Sequence, residues 1–377
     1  MDPQTPIMPS RRYEAIDLIR FLGCLAIAIW HYQHFSFVGH ALPDFDVTQQ
    51  PFYRWASLFY EHGGRFRVQT FWSISGFALF LVYGRVIAAH SLRPRRFFLD
   101  RVARLYPLYL LSFAIVGVLQ GIHVWLNGVD FVYQDNDLLH ALLSLAMASA
   151  WWPGSGMSYN GPVWSLSVLI PVYAVFFAMV WRRGLSIRLN LGMVVGASLF
   201  YAAFPDARIL ECAAHFFAGG IGAIVLFRHG DGRYGPALRR LAVGVLGVFG
   251  VVAWFWGDVV VVPVIHTVLL VVIPTLCFAA ASLRRLPDWL GAAFQRLGDL
   301  SYGVFLLHFP LQLAVVLLAD RAGVSLPVLS PWFFLLYLAL ILVLAQIGLV
   351  LCERPAQRFL RRLFGTVRAA PAVAGRP

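Results

Sequence analysis

The chain has 377 residues, of which 60% are hydrophobic and only 13% charged, with a net charge of +12. Charged residues are about half as frequent as in a soluble domain, and apolar runs of spanning length recur from end to end. This excludes a soluble core and leaves no separate water-soluble catalytic domain. All 30 basic residues are arginine, in keeping with a GC-rich bacterial genome. They sit in short loops between apolar runs, so the charge speaks of membrane topology rather than of nucleic acid.

In chain order, a polar stretch from Met1 to Tyr13 leads into the first apolar run. It has no cleavage site of small residues, so a retained first helix is expected rather than a signal peptide. Ten spans are expected, at about 16–35, 66–87, 105–126, 163–181, 189–205, 209–227, 239–256, 258–281, 299–319 and 332–352. The apolar piece from Leu138 to Trp152 is too short to cross and reads as re-entrant or interfacial. With both termini cytoplasmic, only Arg54, Arg65, Arg67, Arg208 and Arg321 of the 30 arginines fall outside, which fixes the orientation. The expected fold is therefore an all-α, polytopic transmembrane helix bundle. Its parts are a cytoplasmic tail (1–15), one membrane domain (16–355) and a basic cytoplasmic tail (356–377), with Ala369 to Pro377 expected to be disordered.

The first span carries Arg20 and His31. A charged group at bilayer depth costs about 3 kcal/mol on insertion scales, so its presence points to function. Eleven positions are almost three helical turns, which places the two side chains within about 20° of one another and roughly 16 Å apart along the axis. His34 stands three residues beyond His31, but no carboxylate or Cys lies nearby at ligand spacing, and no metal site is expected. Cys24, Cys212, Cys277 and Cys352 are scattered through apolar segments and read as packing residues. Gly76 and Ser75 in the second span suit a close helix crossing.

The third span opens on Arg93-Pro94-Arg95-Arg96 and continues to Arg101 and Arg104, three apart on one helical face. Pro94 can start this helix, and Pro107 can kink or end it. Paired guanidiniums at a membrane surface suit phosphate. The long outer segment 127–162 and its flanks hold Trp125, Tyr133, Trp151, Trp152, Tyr159 and Trp164, aromatics that suit either sugar stacking or an interfacial belt. Asn160-Gly161-Pro162 marks a turn into the fourth span, where Ser165 and Ser167 can hydrogen-bond between helices. The ninth span carries Ser301-Tyr302 and His308-Phe309-Pro310, and the tenth ends in Glu353-Arg354-Pro355.

Taken together and in order, these segments resemble the acyltransferase-3 family of bacterial integral-membrane acyltransferases. The matching pieces are Asp17 to Arg20 with His31 (an Arg-x10-His signature), Phe71 to Phe77, Arg96 to Pro107 with its Arg-x-x-Arg, Asn160 to Ser167, Leu297 to Pro310, and Glu353-Arg354-Pro355. The resemblance implies transfer of an acyl group, usually acetyl, from cytoplasmic acyl-coenzyme A to a hydroxyl of a glycan or other acceptor, often outside the bacterial inner membrane. It marks His31 and Arg20, with Glu353, as catalytic candidates. Arg101, Arg104 and Arg20 are candidates for holding coenzyme A, with acetyl-coenzyme A as co-substrate and no metal. Trp164, Ser167, Tyr302, His308 and Trp152 are the substrate-binding candidates. Many family members carry a Glu where this chain has Leu169, and no fused esterase-like domain is present, so a stand-alone version is expected. The competing class is a transporter or flippase of a glycan or lipid intermediate. It suits a ten-span bundle with buried polar residues, but no internally similar halves are visible.

Overall fold

A computed structural model describes residues 13–364 apart from Asp44, Pro153, Asp231, 257–261 and 284–285, and apart from the side chains of 58, 62–67, 252–256 and 262–265. The polar stretch before Tyr13 and the tail from Ala369 to Pro377 lie outside the described residues, as do the side chains of Arg65 and Arg67. Among the described residues the only β-pairing is an isolated bridge, Val38 to Ala41. The described residues are otherwise mostly helical, as lipid demands: a backbone without water must satisfy its hydrogen bonds within each segment.

The helices are α1 (Glu14–Trp30), α2 (Tyr53–Ala88), α3 (Pro94–Asn127), a short α4 (Leu138–Leu145), α5 (Trp164–Ser167), α6 (Leu169–Arg183) and α7 (Ile187–Ala203). They continue as α8 (Arg208–His229), α9 (Gly235–Trp256), α10 (Val262–Ala281), α11 (Asp288–Ala322), α12 (Pro331–Ile347) and α13 (Arg354–Leu363). A helix overlies each of the ten expected spans. Among the described residues, seven segments are long and apolar enough to cross a membrane: Glu14–Ser36, Val68–Ala88, Pro94–Asn127, Gly161–Arg183, Arg208–His229, Asp288–Ala322 and Pro331–Leu363. The apolar stretches Ile187–Ala203 and His266–Ala281 are shorter. The protein is a multi-pass membrane helix bundle.

Pro94 occupies the first turn of α3, where its missing N–H costs nothing. Pro107, in contrast, does not end the helix, which runs on to Asn127. Neighbouring helices tolerate such breaks at membrane depth.

Two buried clusters organise the bundle. One joins α2, α6, α8 and α10 around Trp72, Phe77, Phe80, Phe176 and Phe216. The other joins α1, α3, α11 and α12 around Ile27, Tyr32, Leu108, Phe309 and Ile341. Lipid is as apolar as leucine, so packing rather than water exclusion holds helices together here, and small residues allow it. The crossing of α2 and α8 shows this directly. A Cβ on Gly76 would collide with the Phe216 carbonyl, and one on Gly219 with the Ser73 carbonyl.

Candidate active site

α1 and α11 pack side by side and in parallel, with a constant register. Arg20 bonds Ser301, and His31 bonds Gln312, each partner 281 positions further along the chain. Among the described residues α2, α3, α6, α7, α8, α9 and α10 lie between them, and eight reversals of direction return the chain to the same sense. The shared register stacks two polar layers along one seam.

In the first layer Arg20 Nε donates to Ser301 Oγ (2.9 Å) and Nη2 to the Gly298 carbonyl (2.7 Å). The guanidinium also pairs with Asp17 Oδ1 at 2.9 Å, one turn back on its own helix. The half-buried cation is thus neutralised by one carboxylate and fixed by two further acceptors, the condition under which a charge is tolerated at depth. Glu353 belongs to this end of the bundle. It closes a π-helical turn, Gly348–Glu353, that follows α12; such turns often mark functional positions. Gln357 donates to its Oε1 (2.9 Å), its Oε2 is buried without a hydrogen-bond partner, and Arg104 and Arg20 lie within electrostatic reach. Tyr302 donates its phenol to the Leu105 carbonyl (2.6 Å), tying α11 to α3.

The second layer is built of histidines. α1 ends at Trp30, and His31–Ser36 continues as a 3-10 helix. Three residues per turn bring His31 and His34 to the same side, with ring centroids 4.8 Å apart. His308 faces them from α11, 4.8 Å from His31. The hydrogen bonds assign the protons. His308 Nδ1 meets the Val304 carbonyl at 3.2 Å and so carries a proton, which makes its Nε2 an acceptor. That Nε2 lies 3.2 Å from His31 Nδ1, which also meets the Ile27 carbonyl at 2.9 Å. His31 Nδ1–H is therefore shared by two acceptors, and Nε2 is the basic nitrogen of His31. Gln312 braces the group. Its Nε2 donates to the His31 carbonyl (2.7 Å), and its Oε1 accepts from His34 Nδ1 (3.1 Å).

The loop before the fourth span closes this layer. Pro310 has no N–H, which frees the Leu306 carbonyl one turn earlier in α11. Asn160 Nδ2 takes that carbonyl at 2.9 Å and reaches Ser112 Oγ at 3.3 Å. Tyr133 packs edge-on against Phe309 and His34, and a side chain on Gly161 would strike its ring. Val132 and Tyr159, each next to one of these residues, have positive φ values of 61° and 49°. The left-handed conformation costs about 1–2 kcal/mol per residue, strain of the kind that gathers at functional sites.

A model of the acyltransferase domain matches residues 13–350. The chain belongs to the acyltransferase-3 family. No curated protein and no solved structure matches it. It is accordingly a membrane acyltransferase, with an acyl donor and an acceptor.

The other candidate residues of this acyltransferase fall in different places. Arg101 turns toward α2, where its Nη2 donates to the Tyr83 hydroxyl (2.6 Å) and its guanidinium lies over the Tyr83 ring. Arg104, one turn on, is exposed. Trp164 stands edge-on to Trp72 and beneath the Arg208 guanidinium. Ser167 Oγ bonds locally to the Trp164 carbonyl and accepts from Ala150 N–H (3.1 Å). Its own carbonyl takes the Trp151 indole (2.8 Å), as the Ser165 carbonyl takes that of Trp72 (3.0 Å). Trp152 is 45% exposed and Trp151 38%. Leu169 is buried in the α2–α8 cluster. The sequence reading missed Gln312 and the bracing role of Asn160. The one available signal was Pro310, which predicts an orphaned carbonyl at Leu306 but not its partner.

Proposed function

We propose that this acyltransferase moves an acyl group, acetyl foremost, from cytoplasmic acyl-coenzyme A to a hydroxyl of a glycan or glycolipid at the outer side of the bacterial inner membrane. The observation that carries the reading is the position of His31 Nδ1, within hydrogen-bond reach of both the Ile27 carbonyl and His308 Nε2. An imidazole whose Nδ1–H is held by a carbonyl and a second histidine presents Nε2 as a general base. In the proposed step Nε2 takes the proton of the acceptor hydroxyl as that oxygen attacks the thioester carbonyl. The C–S bond then breaks, the ester forms, and the proton passes from the imidazolium to the departing thiolate.

The two-layer seam supports the directionality. Arg20 and Glu353, with Arg104 and Arg101 nearby, gather at the end where α1 begins, and His31 lies roughly 16 Å further along α1. Coenzyme A carries several phosphates that arginines hold well, and its long pantetheine arm suits passage from a basic mouth to a deeper histidine. Trp164, Ser167, His308 and Trp152 complete the proposed acceptor side, and Tyr302, next to Ser301, is the proposed substrate contact at the Arg20 end.

The acceptor and the direction are tested in cells. A strain lacking the gene is complemented with wild type or with His31→Ala, and base-labile acetyl esters on surface glycans are quantified. The esters are expected with wild type and to vanish with His31→Ala at equal membrane levels of protein. Unchanged surface esters in the deletion strain would refute a surface glycan as acceptor.

A further inference from the structure

Away from the histidine layer, a second cluster of ligating side chains lies on α8 and α10. Glu211 and His215 are four residues apart on one face of α8, and His266 meets them from α10. Their ligating atoms all lie within 4.8 Å of one another. His215 Nε2 stands 3.2 Å from His266 Nδ1, and Glu211 Oε1 stands 4.0 Å from that same nitrogen. His215 is fully buried and Glu211 nearly so.

Protons do not satisfy this arrangement. A lone pair or one proton on His266 Nδ1 faces both a second imidazole nitrogen and a carboxylate oxygen, and serves at most one of them well. His215 Nδ1 is buried without a hydrogen-bond partner whichever way the shared proton points. A cation among the three atoms would use all of them together. Two nitrogens on a tetrahedral zinc, each about 2.0–2.1 Å from it, stand about 3.3 Å apart, which is close to the observed separation of the two imidazoles.

The surroundings fit a metal as well. His266 Nε2 lies 3.4 Å from Ser198 Oγ, an outer hydrogen bond that leaves Nδ1 as the ligand atom. Gln69 Nε2 donates to Glu211 Oε1 at 2.7 Å, and Tyr201 also bonds that carboxylate, so it is oriented from outside. Glu211 and His266 line a cavity of about 1230 Å³, with Gln69, Trp164 and Tyr201 also in its wall. The cavity supplies an entry path and room for a fourth ligand.

We infer that Glu211, His215 and His266 form a divalent transition-metal site, with zinc the cation that two imidazoles and one carboxylate favour. It would join α8 to α10 and leave one coordination position toward the cavity. The inference does not rest on the proposed acyl transfer, although Trp164 is common to this cavity and the proposed acceptor side, and its test reads metal alone.

The whole protein is purified in detergent with its affinity tag removed, stripped with chelator, reloaded with zinc or cobalt(II), and passed through gel filtration. Stoichiometric zinc by elemental analysis is expected, together with the visible absorption of four-coordinate cobalt. His215→Ala and His266→Ala should each lower zinc affinity tenfold or more while eluting as wild type. The cobalt spectrum of wild type needs no variant, so misfolding of either variant does not blunt the test. Wild type that retains no zinc and shows no cobalt bands, or variants that bind as wild type does, would overturn the site and leave a hydrogen-bonded histidine pair.

Discussion

His31 gains its character from its neighbours, and those that act through side chains, such as His308 and Gln312, can be removed singly. Gln312→Leu strips a donor from the buried His31 carbonyl and an acceptor from His34. Each buried group left unpaired costs about 1–3 kcal/mol, so a lowered melting temperature and slower transfer are expected together. Full activity with unchanged melting would remove Gln312 from the site. Asn160→Ala orphans the Leu306 carbonyl again, with an expected cost of the same order, and would loosen the loop that carries Tyr133. Arg20 and His31 were legible in the sequence because a charge and an imidazole inside an apolar run demand explanation. Gln312 and Asn160 were not. Glutamine and asparagine are unremarkable in an amphipathic pattern, and their roles come from a register between α1, α11 and a distant loop that no local period encodes.

At the scale of elements, helix existence was well marked. Runs of spanning length placed ten helices at the expected positions, and Pro94 marked the start of α3. Of the two outcomes open at Pro107, a kink or an end, the helix does not end, because neighbouring helices can re-satisfy the backbone group it frees. The π-helical turn after α12, which turns Glu353 inward, left no trace in composition. The α2–α8 crossing carries the sharpest prediction here. Gly76→Ala adds one methyl against a backbone carbonyl that has no side-chain freedom to yield. Overpacking of this kind costs about 1–3 kcal/mol, and Gly219→Leu should leave little folded protein after detergent extraction. Thermal unfolding of both variants checks this. Wild-type stability in Gly76→Ala would mean that the helices stand further apart than described.

For the whole molecule, the parallel pairing of α1 and α11 makes the topology testable. It requires an odd number of crossings between them, which the arginine distribution also favours. In a cysteine-free background, Val324→Cys should react with a membrane-impermeant maleimide in intact cells. Ser91→Cys should react only after permeabilisation. Both positions are exposed at helix ends. Labelling of both from the same side would break the ten-span scheme while leaving the family assignment standing.

The central claim is that His31 performs acyl transfer at the meeting of α1 and α11. Its most direct test mixes membranes containing wild type, His31→Ala or His308→Ala with acetyl-coenzyme A radiolabelled in the acetyl group. Label should leave coenzyme A for an acceptor with wild type and stay on coenzyme A with His31→Ala. With His308→Ala, which removes one of the two acceptors of His31 Nδ1–H and keeps the His31 ring, the rate should fall, by up to about 10²-fold, the lower range of a general acid–base contribution. Label transfer by His31→Ala at the wild-type rate would contradict the account.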